Sequence, residues 1–193
     1  MKKGHIYFIM WISGSGKWTL IENLKNQNIK WLYFLKSYVT RPMRTWEIDW
    51  NIYNFISNQE FQNSINKNEF LEYEYVHNLN YYWTKYSDTV ENWIDKWKKV
   101  LKEIEIQGLK NIFKNYPGLK NNITSIFLDI SEKILEKRIN LRWENMSKEE
   151  LQNRKNSLIN EKVESKKHCD YIINTWNKKP DEVLKEVLDI INK

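Results

Sequence analysis

The chain has 193 residues, a mass of 23.7 kDa and a net charge of +6. This length fits one domain with room for an inserted lobe, and 41% hydrophobic with 29% charged residues suits a globular protein with a core. The Lys and Arg residues form no block of five or more, which argues against a nucleic-acid-binding tail. No apolar run is long enough to cross a bilayer, so we expect no membrane partner.

Two residue counts are unusual for a globular chain. There are ten Trp and only five Gly, where an average chain of this length would have roughly 14 Gly, and Ala is absent. Lys, Asn and Ile, whose codons are rich in A and T, are abundant, so a biased genome is the simplest explanation of the basic charge. The single cysteine, Cys169, excludes an internal disulfide and predicts a structural thiol in a reducing, cytoplasmic compartment.

The chain begins with a predicted buried strand and a helix. Residues 5–12 are a short apolar run that ends at a Gly/Ser turn, and residues 17–27 place Leu20 and Leu24 on one helical face. The segment 37–57 is polar and aromatic, with strand-like alternation near its end. The remaining pattern predicts helices over 58–68, 88–96, 108–117, 131–140, 147–166 and from Pro180 onward, and strands over 70–76, 100–106, 123–130 and 171–173.

This alternation of strands and helices predicts an α/β fold with a parallel sheet. The aromatic-rich segment 37–86 interrupts the alternation, and we interpret it as an inserted lobe. No repeat or Pro-rich linker divides the chain, so we expect the lobe and the sheet to belong to a single domain.

A phosphate-binding loop is predicted between the first strand and the first helix. The segment reads Trp11-Ile12-Ser13-Gly14-Ser15-Gly16-Lys17-Trp18-Thr19, close to the pattern G-x-x-x-x-G-K-[S/T] in its required context. Backbone N–H groups at a helix N-terminus attract phosphate, and Lys17 would reach the outer phosphates. Trp11 stands at the first Gly of the pattern and Trp18 at its hydroxyl position. A Gly/Ser turn that only happens to precede a lysine is the alternative interpretation.

Further motifs follow the loop in a fixed order. The segment SYVTRPMRTWEIDWNIYNFIS resembles the GMP-binding segment of guanylate kinases, which it matches at Ser37, Thr40, Arg41, Arg44, Glu47, Tyr53 and Phe55. Other motifs of that family resemble NEFLEY at 68–73, YYWT at 81–84, LKEIEIQG at 101–108, RINLRW at 138–143, Arg154 with Glu161, and Ile173-Asn174. Because these motifs keep the family order along nearly the whole chain, the protein resembles a guanylate kinase of the P-loop nucleoside monophosphate kinases.

The resemblance implies a fold and its organisation. It implies a three-layer P-loop α/β core with a parallel five-stranded sheet flanked by helices, an inserted mixed β/α GMP-binding lobe and a helical lid. Within a single domain, the core would comprise residues 1–36, 87–137 and 167–193. The lobe would comprise residues 37–86, and the lid residues 138–166.

The resemblance also implies roles for individual residues. ATP would be bound by the loop residues 11–19 and by Asn174 near the adenine. GMP would be bound by Ser37, Arg41, Arg44, Tyr53, Glu72, Tyr82, Thr84 and Glu105. In that set, Glu72 and Thr84 would read the guanine ring, and Glu105 would help to read it or organise Mg²⁺ through water. The catalytic residues would be Lys17, Arg41, Arg138, Arg142 and Arg154.

The arginine positions support these roles on chemical grounds. All five arginines of the chain fall in the motifs, although the composition strongly favours Lys. The planar guanidinium binds phosphate through two parallel hydrogen bonds, which an ammonium cannot do. Two groups of arginines therefore predict two phosphate sites, one for the acceptor and one for the transferred group.

The implied activity is transfer of the γ-phosphoryl of ATP to GMP, giving ADP and GDP, in purine nucleotide metabolism. Mg²⁺ would be held by the nucleotide phosphates and water, with no metal ligand from the protein. The expected partners are ATP and GMP alone, and the expected state is a monomer or a weak homodimer. Two alternatives stay open: a catalytically silent guanylate-kinase-like binding module, and a P-loop kinase for another nucleoside monophosphate.

Seven Trp residues stand where the family pattern has glycine: Trp11, Trp18, Trp46, Trp50, Trp83, Trp97 and Trp143. We expect positions such as 46, 50 and 83 to need a positive φ or a close backbone approach, which suits glycine. Our hypothesis is that these codons are UGA, written here as Trp but read as Gly in the source. Trp and Gly together then approach the glycine count of an average chain.

Overall fold

The computed structural model describes residues 4–12, 15, 17–43, 53–76, 80–142 and 148–193. The strands in this part of the chain are β1 (His5–Trp11), β2 (Leu32–Leu35), β3 (Ser37–Val39), β4 (Tyr53–Phe55), β5 (Phe70–Val76), β6 (Asn80–Lys85), β7 (Lys99–Glu103), β8 (Ile123–Asp129) and β9 (Tyr171–Asn174). The helices are α1 (Lys17–Asn26), α2 (Asn58–Asn66), α3 (Ile106–Asn115), α4 (Glu132–Arg142), α5 (Lys148–His168) and α6 (Pro180–Ile191). A π-helix covers Ser87–Ile94 and a 3₁₀ turn covers Pro117–Asn122.

Most predicted elements are present, although several have different ends and some strands were not predicted. The predicted strand 100–106 ends at Glu103, and α3 already begins at Ile106, so Gly108 lies in its first turn rather than at its start. The predicted helix at 88–96 is a π-helix that ends at Ile94. The sequence pattern missed β2, β3 and β6. In β2, four apolar and aromatic residues carry no periodicity that separates strand from helix.

The strands form two sheets. The first has five strands in the order β2-β7-β1-β8-β9, with β2 parallel to β7 and β8 parallel to β9. The second has four strands in the order β4-β3-β6-β5, with one parallel and two antiparallel pairings. A five-stranded parallel sheet with flanking helices, beside a second mixed sheet, confirms the predicted α/β fold class.

The chain divides into two compact units, of which the first takes in Trp31–Ile123 and the chain up to Phe8. It holds the whole second sheet, since β3 to β6 lie within residues 37–85. Helix α2 begins with a capping box, in which Ser57 Oγ accepts from the Glu60 N–H and the Glu60 carboxylate accepts from the Ser57 N–H. This reciprocal cap satisfies two of the N–H groups that the first helical turn leaves unpaired.

The two faces of the second sheet have opposite chemistry. One face carries aromatic side chains, and Trp83 at its centre is fully buried, stacked on Tyr38 with ring centroids 5.3 Å apart. Phe61 from α2 is also fully buried and lies 4.9 Å from the Trp83 ring. Packed aromatic pairs of this kind stabilise a fold by about 0.5–1.5 kcal/mol each beyond area burial. The aromatic face is therefore structural, and it leaves the other face of the sheet for polar groups.

The second unit comprises Ile9–Lys30 and Thr124–Lys193. The carboxylate of Asp129, at the end of β8, is buried and lies 3.1 Å from Lys162 Nζ and 2.6 Å from Lys166 Nζ of α5. Lys162 Nζ also donates to the Ile130 carbonyl at 2.6 Å. These contacts join the C-terminal half of α5 to the end of β8.

The thiol of Cys169 is half-buried in the same unit, with Sγ 3.7 Å from Met10 Sδ. Burial and the nearby Asp170 carboxylate raise the pKa of Cys169 to about 12, so the thiol stays protonated and unreactive. Within the described ranges, none of the helices has the length and hydropathy that a membrane-spanning segment needs.

Candidate functional site

The second sheet presents a polar face built from side chains of all four of its strands. The register pairs Ser37 of β3 with Tyr53 of β4, and the β5–β6 register pairs Glu72 with Thr84. Val39 of β3 pairs with both Phe55 and Tyr82, and residues two apart on a strand share a face. One side of the sheet therefore carries five residues expected to bind GMP: Ser37, Tyr53, Glu72, Tyr82 and Thr84. We call this side the polar face.

Arg41, which follows β3, lies at the same side of this sheet. Its Nε donates to the Tyr82 hydroxyl at 3.2 Å, and its guanidinium carbon lies 5.2 Å from the ring centroids of both Tyr53 and Phe55. Only 8% of Arg41 is exposed, and its Nη1 donates to the Pro42 carbonyl at 3.0 Å. The guanidinium is thus held in place by aromatic rings, a hydroxyl and a backbone carbonyl. Arg44, its expected companion, lies outside the described residues.

The Glu72 carboxylate is buried and confined on two sides. The Thr84 hydroxyl donates a hydrogen bond to Oε1. Gly108 of α3 makes room for Oε2, because a Cβ at that position would lie only 2.9 Å from this oxygen. The two residues expected to read a guanine ring therefore contact each other, and Gly108 joins them for a steric reason.

Two more carboxylates lie close to Glu72. Burial raises the pKa of Glu72, and the charge of Glu105, which precedes α3, raises it further. Burial also raises the pKa of Glu74 on the polar face to about 7, with smaller contributions from Glu105 and Glu72. Like charges held together in this way disfavour full ionisation of the cluster. Glu105 is thus close to the expected base-reading residues.

The sequence analysis did not assign a function to Lys102, which the structure places among these groups. Lys102 is 1% exposed on β7, and its Nζ donates to Ser37 Oγ at 2.6 Å. Its charge opposes the rise in the Glu72 pKa. The available signal was a lysine in the predicted strand 100–106, at a position that shares a strand face with the apolar Val100 and Ile104.

The phosphate loop is described at Trp11, Ile12 and Ser15, and again from Lys17 onward. Lys17 is the first residue of α1, where the helix dipole favours an anion. The Ser15 N–H donates to the Ile12 carbonyl at 3.0 Å. Lys17 Nζ lies 4.0 Å from the Trp11 ring centroid, so a cation–π contact engages the ammonium that is expected to bind phosphate. Ser13, Gly14 and Gly16 lie outside the described residues.

A cavity of about 300 Å³ lies in the second unit, beside this loop. Ser15 and Thr19 line it from the loop and α1, and Thr175 and Trp176 line it from the segment after β9. Ser15 Oγ is buried and has no hydrogen-bond partner among the described residues. A buried hydroxyl without a partner is costly, so the cavity wall suits a ligand that supplies one. Asn174 ends β9 next to this segment and is itself exposed.

The three expected lid arginines lie on helices. Arg138 and Arg142 belong to α4 and Arg154 to α5, and the side chains of these residues are not among those described. Within the described ranges, no group of three or more His, Cys, Asp or Glu residues could hold a metal ion.

The Trp residues at family glycine positions fall into different environments. Trp83 lies in β6 with its partners in register, so the expectation of a turn with a positive φ at 83 is wrong. Its Nε1 is nevertheless buried without an acceptor among the described residues, at a cost of about 1–3 kcal/mol. The side chain of Trp18 on α1 is not described, and Trp46, Trp50 and Trp143 lie outside the described residues.

Trp97 gives the clearest structural support for a glycine. Its φ is 66°, and it follows the π-helix as the left-handed residue of a Schellman motif. In that motif the Lys98 N–H donates to the Trp93 carbonyl, and the Trp97 N–H donates to the Ile94 carbonyl. Among the described residues, the other non-glycine positions with positive φ are both Asn, which tolerates this region better.

Comparison with known proteins identifies the family. The guanylate kinase family model matches residues 3–193. The guanylate kinase of Prochlorococcus marinus is 38% identical over 179 residues, covering 93% of this chain and 92% of that protein. The guanylate kinase of Helicobacter pylori is 37% identical over 164 residues, covering 83% of this chain and 74% of that protein.

A solved structure agrees on the fold. The crystal structure of guanylate kinase from Anaplasma phagocytophilum superposes with a TM-score of 0.70, at 22% identity, covering 99% of this chain and 86% of that one. Three observations agree with this match: the polar face, the strand–loop–helix segment that leads into α1, and the coverage of nearly the whole chain. On this evidence, the chain belongs to the guanylate kinase family.

Proposed function

We propose that this protein transfers the γ-phosphoryl group of ATP to GMP, giving ADP and GDP. The observation that carries the proposal is the polar face, which joins an arginine fixed by tyrosines to a carboxylate paired with a threonine hydroxyl. These are complementary to the two ends of GMP: a phosphate dianion at one end, and a ring with adjacent N–H donors at the other.

The acceptor is held by groups with separate tasks. Arg41, together with Arg44, would bind the phosphate of GMP, with the hydroxyls of Tyr53 and Tyr82 beside it. The Glu72 carboxylate would accept hydrogen bonds from guanine N–H groups, and Thr84 would fix its orientation. Positioning the acceptor in this way supplies much of what phosphoryl transfer demands, because the reaction needs little covalent help from the protein.

The donor is held mainly by the phosphate loop and Lys17. Lys17 and the loop N–H groups would bind the β- and γ-phosphates of ATP, and Ser15 and Thr19 line the adjoining cavity. Mg²⁺, bound to the nucleotide phosphates and water, would supply charge neutralisation when present. The donor site thus depends on closely approaching backbone, which Gly14 and Gly16 permit.

We propose the organisation expected of the family for the rest of the chain. Residues 37–86 would form the GMP-binding lobe and residues 138–166 the lid, with the core in 1–36, 87–137 and 167–193. The lid would bring Arg138, Arg142 and Arg154 to the transferred phosphoryl group and exclude water. Hydrogen exchange of α4 and of the first half of α5 should slow when both nucleotides bind, and unchanged exchange would contradict a closing lid.

A coupled assay of ADP formation tests the proposed function. With ATP as donor, GMP should be turned over at least about a hundredfold better than AMP, UMP or CMP, because the other bases would leave the Glu72 carboxylate without the N–H donors of guanine. Absence of turnover with GMP, or preference for another monophosphate, would refute the assignment.

A catalytically silent guanylate-kinase-like binding module is the second candidate, and one contact favours it for a chain that has Trp at position 11. The Trp11 ring lies against Lys17 Nζ at 4.0 Å, so ATP would have to displace it. In that case GMP would bind with ordinary affinity while ATP bound weakly and turnover was lost. Separate binding measurements with GMP and ATP distinguish this outcome from an active kinase.

A further inference from the structure

Lys102 occupies an unusual place in the fold. It is the fourth of the five residues of β7, it follows the buried Val100 and Leu101, and 1% of its surface is exposed. Taking an ammonium out of water costs several kcal/mol unless other groups compensate it. The partners of Lys102 therefore indicate why a charge is tolerated there.

Those partners belong to the polar face. Lys102 Nζ donates to Ser37 Oγ at 2.6 Å, and its charge interacts with the buried Glu72. The other ionised groups that act on Lys102 are Glu103 on its own strand and Asp88 on the π-helix. Lys102 thus contacts Ser37 of the proposed acceptor site and acts on Glu72 through its charge. Burial lowers the pKa of Lys102, and the charges of Glu72, Glu103 and Asp88 oppose that fall.

Glu72 needs a nearby cation if it is to stay ionised. Its burial and the Glu105 charge favour the neutral acid, whereas Lys102 and the Thr84 hydrogen bond favour the carboxylate. Glu74 lies two residues away on the same face and adds to the negative charge of the cluster. Of the charged groups known to act on Glu72, Lys102 is the one that stabilises its ionised form.

We propose that Lys102 is a positioning residue that keeps Glu72 ionised and Ser37 oriented, and thereby sets the preference for guanine over hypoxanthine. The inference rests on the proposed function, in which Glu72 reads the base. An ionised carboxylate has two acceptor oxygens for the ring N–H and the exocyclic amino group of guanine. A neutral acid places a proton on one oxygen and loses one of these two hydrogen bonds. Hypoxanthine lacks the amino group, so its binding is less sensitive to that loss.

The central variant is Lys102→Met, which keeps the length and apolar body of the side chain without the charge. Its affinities for GMP and for inosine monophosphate are measured by titration calorimetry from about pH 5 to pH 9. Removing an adjacent opposite charge shifts a carboxyl pKa upward by roughly 1–3 units. We therefore expect the pH below which GMP affinity falls to rise by that amount, and we expect normal affinity to return at high pH.

Specificity provides a second readout that a purely structural role would not change. At neutral pH the GMP-to-inosine-monophosphate affinity ratio should fall about tenfold or more in Lys102→Met, one pKa unit being a tenfold effect. Lys99→Met is the matched control, because it removes a lysine from the same strand, where Nζ lies over the Tyr7 and Trp31 rings. The control should keep the pH profile and the ratio of the unmodified protein.

A double-mutant cycle shows whether Lys102 acts through Glu72. In the Glu72→Gln background, Lys102→Met should have little further effect on the affinity ratio or its pH dependence. If Lys102→Met alone fails to fold, the double variant should fold, because it no longer buries an unpaired carboxylate. Failure of both variants to fold would overturn the inference, since Lys102 would then be needed for a reason other than Glu72.

GMP binding by the unmodified protein distinguishes failure of this inference from failure of the proposed function. Absence of GMP binding there would refute the proposed function itself. Normal GMP binding, combined with an unshifted pH profile and ratio in a folded Lys102→Met variant, would overturn only the role of Lys102.

Discussion

In the proposed function, the polar face and the phosphate loop would bind their phosphate-bearing ligands with different parts of the chain. The polar face consists of side chains that lie on one side of a regular sheet, and these side chains contact one another. The phosphate loop uses backbone N–H groups, which a ligand reaches only where side chains are small. A bulky residue is therefore tolerated next to the polar face, as the buried Trp83 shows, whereas Trp11 contacts the lysine of the loop.

The largest effect should come from Lys17→Ala. Loss of a preorganised group at the transferred phosphate should lower turnover at least about 100-fold while GMP affinity stays unchanged. Lys25→Ala, which removes a lysine from the last turn of the same helix, is the control and should keep full turnover. ADP formation and GMP calorimetry check the two halves of the expectation. Equal activity in the two variants would mean that the loop is not a phosphate site.

Arg41→Ala should weaken GMP binding at the polar face. Loss of a charge-assisted contact to the acceptor phosphate costs about 1.5–3 kcal/mol, or roughly a 10- to 150-fold increase in the KM for GMP. Arg41→Lys should lie between, because it keeps the charge but loses the planar fork held by Tyr82. Steady-state kinetics with each substrate varied in turn gives the measurement. A rise in the KM for ATP instead of GMP would contradict the proposal that Arg41 binds the phosphate of GMP.

Trp11→Gly should strengthen ATP binding at the phosphate loop. Releasing Lys17 from the ring removes a cation–π contact of about 0.5–2 kcal/mol, so ATP affinity should rise roughly 2- to 30-fold. Trp31→Gly is the matched control, because Trp31 forms a similar contact with Lys99 at 4.8 Å. Calorimetry with ATP should show the gain in the first variant alone. Weaker ATP binding in Trp11→Gly would contradict competition between the ring and phosphate.

Trp97→Gly should have the smallest effect, on stability rather than on binding. Relief of a left-handed conformation should raise the free energy of unfolding by about 1 kcal/mol. Trp31→Gly again serves as control and should lower it, since Trp31 has no positive φ and glycine makes the unfolded chain more flexible. Urea unfolding at matched pH measures both, and equal destabilisation would argue against glycine at 97.

The codons of the gene test the same hypothesis without any variant. UGA codons at positions 11, 18, 46, 50, 83, 97 and 143 would support glycine in the source, and UGG codons would refute it. Mass spectrometry of the native protein measures the residues directly. Position 83 is the most informative, because the structure accommodates a Trp there except for its unpaired Nε1.

The sequence by itself determined the fold class, most strands and helices, and the family. Short buried strands, the Gly-Ser-Gly-Lys turn and the clustered arginines are local patterns, and local patterns are readable because periodicity and turn chemistry act over a few residues. The sequence also placed Ser37, Arg41, Glu72 and Thr84 in one predicted site, by resemblance rather than by geometry.

Only the tertiary structure decided which of those residues make contact and what else joins them. Strand register brings Glu72 to Thr84, and the packing of α3 puts Gly108 against the same carboxylate. Lys102 lies 65 residues from Ser37 in the sequence, so no local pattern could pair them. Whether an isolated lysine in an apolar strand faces solvent or a buried carboxylate depends on what packs over it. Long-range packing sets that environment, and the ionised state proposed for Glu72 depends on it.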